Sequence, residues 1–377
     1  MRARALILIS LLLLLALAAA LRGFRSHMLL DLAAFALALG TSLVLAWALV
    51  RSLRRTGSSG SVPAKPRWYA FGANAFGLCV LMVLAAWWVF RIPAGMGNGP
   101  AGPQVSAAKF EKPWREGPVI LLALGDSVST GFGAGPGLGY FDLVRKNRDD
   151  VYPEMRGLEL SRVMPNISAM RLARDATNSM EHERVINALP VASEETYSVV
   201  CITTGGIDLI HNYGRSEPRE GAMFGADFTT ARPWILNFER RLERMMETLA
   251  KKFPGGCAVF MATIFDPTDG EGDIENGGPL FWISSWEGGY DIFNGFNDAI
   301  KRVDAKYAHV HLVDVHKIML GHGIHCRDHD NPNFHEDDPS YWYYFNLEDP
   351  NQRGYDAIRR AFLNAMIKAL APATGRD

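Results

Sequence analysis

The chain has 377 residues, 48% of them hydrophobic, and a formal net charge of −1. That charge hides two unlike parts: up to Arg91 ten Lys/Arg stand against one acid, Asp31, whereas 92–377 holds 29 basic and 39 acidic residues. The acidic part offers no basic face for nucleic acid, and four cysteines without zinc-ligand spacing exclude a disulfide scaffold and a cysteine-built zinc site.

Three apolar runs come first, at about 5–21, 28–50 and 68–90. The second and third are long enough, at about 1.5 Å per residue, to cross roughly 30 Å of hydrocarbon. The first, after Met-Arg-Ala-Arg, fits either a short span or a signal peptide. The loop 51–67 carries Arg51, Arg54, Arg55, Lys65 and Arg67, which the positive-inside bias assigns to the cytoplasm. The expectation is therefore a multi-pass region of the cytoplasmic membrane over 1–91, with two or three transmembrane helices and everything after Arg91 on the extracytoplasmic side. A Pro/Gly-rich tether over 92–117 leads to a folded domain over 118–377.

From Pro118 onward short apolar runs alternate with helical patterns. Predicted strands are Val119–Leu124, Ile167–Ala173, Ser198–Thr203, Ala258–Ile264 and Val310–Val313. Predicted helices are Ser179–Leu189, Pro233–Lys252, Asp291–Lys306 and Asn351–Leu370. Such alternation predicts an α/β three-layer sandwich, a parallel five-stranded sheet in flavodoxin-like order with helices on both faces. Irregular stretches 209–232, 265–290 and 321–349 all follow strand C-terminal ends, where open α/β sheets build their sites.

Directly after the first strand stands Gly125-Asp126-Ser127. Glycine permits a sharp turn, and a serine at the start of the following helix has an exposed hydroxyl, a free N–H and a favourable helix dipole. Three blocks in order then resemble the SGNH/GDSL hydrolases, serine esterases and lipases on a flavodoxin-like fold. Gly125-Asp126-Ser127 resembles their first block. Gly205-Gly206-Ile207-Asp208 resembles their third, usually Gly-x-Asn-Asp. Asp349-Pro350-Asn351-Gln-Arg-Gly354-Tyr355 resembles the end of their fifth, usually Asp-x-x-His-Pro-Asn-x-x-Gly-Tyr. The resemblance covers about 118–370. It implies Ser127 as nucleophile and an oxyanion hole from Ser127 with Asp175 or Ala176 at the second block, and Gly205 and Gly206 at the third.

The departures lie at the same blocks. Ile207 stands where the family has an asparagine amide, Asp349 at its histidine and Asn346 at its aspartate. Seven of the ten histidines fall between 309 and 335. Gly321-His322-Gly323-Ile324-His325 repeats the texture of the fifth block, so an insertion over 326–349 would make His325 the base for Ser127. His322 is its rival and His211 a more distant one; Asp349, Asp314 or Asp328 would orient the imidazole.

Asp266-Pro-Thr-Asp269-Gly-Glu-Gly-Asp273 interleaves acidic oxygens with glycine, a composition that suits a structural Ca²⁺ on Asp266, Asp269 and Asp273. A zinc site at the His325/His329 spacing is a weaker alternative. No cofactor is required by the chemistry. The sequence thus predicts a membrane-anchored serine ester hydrolase, acting on a small-molecule, lipid or glycan acyl or acetyl ester outside the membrane, with no nucleic-acid partner. Alternatives are a degenerate SGNH-like domain that binds a glycan or lipid, and an acyltransferase.

Overall fold

The computed structural model describes residues 101–211, 213–277, 283–344 and 346–372, all within the unit Pro93–Asp377. Among them, strands β1 (Val119–Leu124), β2 (Ile167–Arg171), β3 (Tyr197–Ile202), β4 (Cys257–Ala262) and β5 (Val310–Val313) form one sheet. All pairings are parallel, in the order β2-β1-β3-β4-β5. This is the flavodoxin-like order that the alternation predicts. The helices are α1 (Ser127–Thr130), α2 (Tyr140–Arg145), α3 (Leu160–Val163), α4 (Ser179–Ala188), α5 (Gly206–Ile210), α6 (Phe228–Lys252), α7 (Gly289–Lys306), α8 (Val315–Met319) and α9 (Gln352–Leu370).

Period-two alternation explains the three layers. Leu121 and Ala123 of β1, Val199 and Cys201 of β3, and Phe260 of β4 enter one core with α2, α3 and α9. Their neighbours Leu122, Leu124, Val200, Ile202, Val259 and Met261 enter the other with α4, α6 and α7. Strands buried on both faces read as continuous apolar runs, which is why β1 is Val-Ile-Leu-Leu-Ala-Leu.

Two local differences from the expected elements have clear causes. α6 begins five residues before Pro233, because Asp227 caps it through the Thr230 N–H at 2.8 Å and hydroxyl at 3.0 Å. From Ala101 on, the segment expected as a tether lies on α9: the Ala101 N–H donates to Asp356 at 3.1 Å, and Phe110 is buried.

The membrane part of the expected architecture is corrected. Among the described residues no helix is long and apolar enough to cross a membrane. The 25-residue α6 has the length, but its core-facing Phe238, Leu242, Met245 and Leu249 alternate with charged residues such as Glu239, Arg240 and Glu243, the pattern of a helix half in a protein core. The runs 5–21, 28–50 and 68–90 lie outside the described residues. The architecture is thus a parallel five-stranded sheet with flanking helices, and the transmembrane, multi-pass, extracytoplasmic and membrane-partner assignments are withdrawn.

Candidate active site

The turn after β1 is built around one glycine. Gly125 has φ of +126°, and a Cβ there would lie 2.1 Å from the Thr203 carbonyl oxygen, so no side chain fits between β1 and β3. Asp126 then caps α1, its Oδ1 accepting the Val128 N–H at 3.2 Å and the Thr203 hydroxyl at 2.7 Å. Thr203 is held in turn by Ser129, 3.0 Å away, and Ser129 by the Tyr140 hydroxyl at 2.7 Å. This buried chain of hydroxyls fixes the carboxyl of Asp126 and sets Ser127 at the first position of α1. Burial pushes the Asp126 carboxyl up to about 6, against the pull of the Thr203 hydrogen bond.

Asp349 arrives from the loop before α9. Its carboxyl is almost wholly buried, and Oδ2 accepts the Asn346 amide at 2.6 Å. Burial raises it to about 7, while the Asn346 amide and the Ser127 hydroxyl pull it down and the charges of Asp126 and Asp175 push it further up. Oδ1 has no hydrogen-bond partner within normal geometry among the described residues. The approach of Ser127 is therefore looser than a formed hydrogen bond, as is common where no substrate is bound. The positions that the motif marked as departures, Asn346 and Asp349, thus meet at the serine.

Ser127 opens on a cavity of about 150 Å³ between the strand ends and the loops after β3 and β4. Its walls are mainly apolar: Ile207, Ile210, Phe224, Ile264, Trp286 and Phe293 are among them, with Asp126, Asp266 and Glu348 as the acids. Ile207 takes the place where an amide was sought. Of the expected oxyanion donors, Ser127 and Gly206 line this cavity. Gly205, at φ of +103°, sits behind them, where a Cβ would come within 2.8 Å of Ile264. Asp175 and Ala176 are exposed and do not line it, and Asp175 accepts the Thr130 hydroxyl at 2.5 Å.

Among the described residues no histidine lines the cavity. His325 turns Nε2 to both oxygens of Asp273 at 3.1 Å, and that contact, opposed by burial, raises its pKa. His322 is stacked on Trp342 with ring centroids 3.4 Å apart, its Nδ1 3.0 Å from the Ser340 carbonyl oxygen, and burial lowers it to about 4. The structure thus brings Asp349 to Ser127 and places both candidate histidines in the 321–335 loop packing.

The acidic loop is likewise engaged within the protein. Asp266 Oδ1 accepts the Thr268 N–H and hydroxyl, and its Oδ2 accepts the Gly270 N–H. Asp269 Oδ1 accepts the Gly321 and Gly323 N–H groups at 2.8 Å, and its Oδ2 accepts that of His325 at 2.9 Å. Asp269 so ties the loop after β4 to the His-rich loop. Among the described residues no group of three or more His, Cys, Asp or Glu is arranged to hold a metal ion.

Two of the supporting residues, His182 and Glu348, lie outside the motifs. His182 is buried between the Thr177 hydroxyl at 3.0 Å and the Thr204 hydroxyl at 2.8 Å, and burial lowers it to about 4, so it is neutral. It clamps the second block to the third. Asp208, which follows the Gly-Gly turn, accepts the Ser179 N–H and hydroxyl and so holds the start of α4. Glu348 was passed over as one acid among many, and its place beside Asp349 was the available signal.

No family model and no curated protein matches the chain. Solved structures resemble it at low identity. A member of the lipolytic G-D-S-L family from Veillonella parvula is 11% identical, covering 65% of this chain and 97% of its own, with a TM-score of 0.40. The acetyl-xylooligosaccharide esterase Axe2 from Geobacillus stearothermophilus (an R55A mutant) is 14% identical over 67% and 94%, TM-score 0.40. A psychrotrophic esterase, EstA, from Pseudoalteromonas sp. is 16% identical over 67% and 99%, TM-score 0.36. Likeness at this level does not carry function, which has to be argued from the site.

Proposed function

We propose that the protein cleaves an ester with an apolar acyl group, using Ser127 as nucleophile and Asp349 as general base. One observation carries this reading: the Ser127 hydroxyl, on the wall of an apolar cavity, lies beside the buried carboxyl of Asp349, which burial raises to about 7. A carboxylate of ordinary pKa is a weak base at neutral pH, whereas one matched to the working pH combines an available ionised form with useful basicity. Ser127 Oγ attacks the carbonyl carbon while its proton passes to Asp349. The Ser127 N–H, with Gly206 on the adjoining wall, faces the oxygen where charge develops. The alcohol departs, water attacks the acyl-serine, and the enzyme is restored. Ile207 supplies no amide donor, so the rate should lie well below that of a site with a complete set, by on the order of 10²–10³ for one donor.

Labelling with a fluorophosphonate probe, together with hydrolysis of nitrophenyl acyl esters of increasing chain length, tests the reading. Labelling at Ser127 that disappears in Ser127→Ala, with turnover favouring apolar acyl chains, is expected. No labelling and no cleavage over the whole series would overturn it.

A further inference from the structure

We propose that Glu348 is the acid that protonates the departing alcohol. This inference rests on the ester-cleavage reading and adds a second working carboxyl to it. Three acidic side chains line the cavity beside Ser127. Asp126 is engaged by the Val128 N–H and the Thr203 hydroxyl, and Asp266 by Thr268 and Gly270. Glu348 alone of the three carries no hydrogen bond among the described residues, and its carboxyl faces a cavity whose walls are mainly apolar. It neighbours Asp349 in the chain, so the loop that brings the base also brings this group. The charged side chains facing it are Asp349 and Asp126. Burial first, and then those two charges, push its carboxyl up to about 8, which keeps the proton on it at neutral pH.

In a serine hydrolase with a triad, a single imidazole takes the serine proton and later gives it to the leaving group. Asp349 can take the proton here, but a carboxyl that has just received it lies at the serine. Glu348 divides the work. The Oγ–carbon bond forms and the serine proton goes to Asp349. The carbon–oxygen bond to the alcohol breaks, and the alkoxide takes the proton of Glu348, which is left as carboxylate. On deacylation the attacking water gives its proton to Glu348 and Asp349 returns its proton to Ser127 Oγ, so both carboxyls recover their starting forms. The arrangement places Glu348 in the cavity that Ser127 lines and Asp349 next to it in the chain, two carboxyls between which acid and base roles can be divided.

The test uses the full chain and two esters of the same acyl group, one of ethanol and one of nitrophenol. Ethoxide needs a proton to leave and nitrophenolate does not. In Glu348→Gln the ratio of kcat/KM for the ethyl ester to kcat/KM for the nitrophenyl ester, which reports acylation and not the shared deacylation, should fall at least tenfold, and Glu348→Asp should recover part of it. A merely structural role would lower both rates together and leave the ratio unchanged, which would overturn the proposal even though Ser127 still labels and the wild type still cleaves esters. A wild type that neither labels nor cleaves would overturn the ester-cleavage reading, and this inference with it.

Discussion

If Asp349 is the base, activity must follow its ionisation. Its carboxyl titrates at about 7, and only the carboxylate can accept the serine proton. A group of that pKa is half ionised at pH 7, about a tenth at pH 6 and about a hundredth at pH 5. The rate of cleavage of a nitrophenyl acyl ester should therefore fall roughly fifty-fold between pH 7 and pH 5. The groups that set the titration are Asn346, the Ser127 hydroxyl, and the carboxylates of Asp126 and Asp175. Asp349→Asn preserves the shape and can still accept the Asn346 amide, but it cannot take a proton. Fluorophosphonate labelling and kcat should drop by about 10²–10⁴, the usual contribution of a general base, and the acid limb should vanish. Labelling of Asp349→Asn at the wild-type rate would refute the assignment, as would a flat wild-type profile from pH 5 to pH 8.

Two further outcomes concern the fold. Asp356 accepts the Arg359 Nε–H at 2.5 Å and the Arg360 Nε–H at 2.9 Å, all three side chains being buried on α9; Asp356→Ala leaves Arg359 without a counter-charge and Arg360 with Glu154 alone, and should cost about 3–5 kcal/mol in denaturant unfolding, with less than 1 kcal/mol counting against the argument. Burial raises Asp269 and Asp349 to about 7 and Glu348 to about 8. A carboxyl whose folded pKa exceeds its unfolded value stabilises below the unfolded pKa and loses that stability as pH rises through the folded one. Histidines with lowered pKa, such as His182 and His322, are neutral when folded but half protonated at about pH 6.5 when unfolded, so each offsets that loss by only about 0.4 kcal/mol between pH 6.5 and pH 8. Unfolding free energy should thus fall by on the order of 2–4 kcal/mol between pH 6.5 and pH 8, and a rise over that window would contradict the burial argument.

The sheet was legible because burial on both faces writes itself as unbroken apolar runs: β1 and β5 have the bounds their residues suggest. The short helices α2, α3 and α8 span one or two turns, too few for a helical period to show, and only tertiary contacts define them. The serine turn was readable from Gly125 and its place at a strand end. The surroundings of His325 were not. Gly-Ile-His at 323–325 has the local texture of a catalytic block, but Asp273 and Asp269, distant in sequence, hold His325 by its side chain and its backbone. Spacing cannot reveal that a carboxyl fifty residues away has claimed a histidine. Nor does spacing show that Asp266 and Asp269 accept backbone N–H groups from their own and a neighbouring loop.

The position of Asp349 shows how much a residue's role depends on its surroundings. By residue type it is a weak base, fit at most to orient an imidazole. Buried beside Ser127, it becomes costly to ionise. Asp126 and Asp175 raise that cost through their charge. Asn346, which stands where an aspartate was sought, adds an amide donor and no charge. An aspartate at 346 would repel the carboxylate and press Asp349 toward permanent protonation, whereas the amide keeps its titration near neutrality. The two departures at the fifth block are therefore coupled: a carboxyl in the place of the imidazole is workable as a base because its neighbour is an amide.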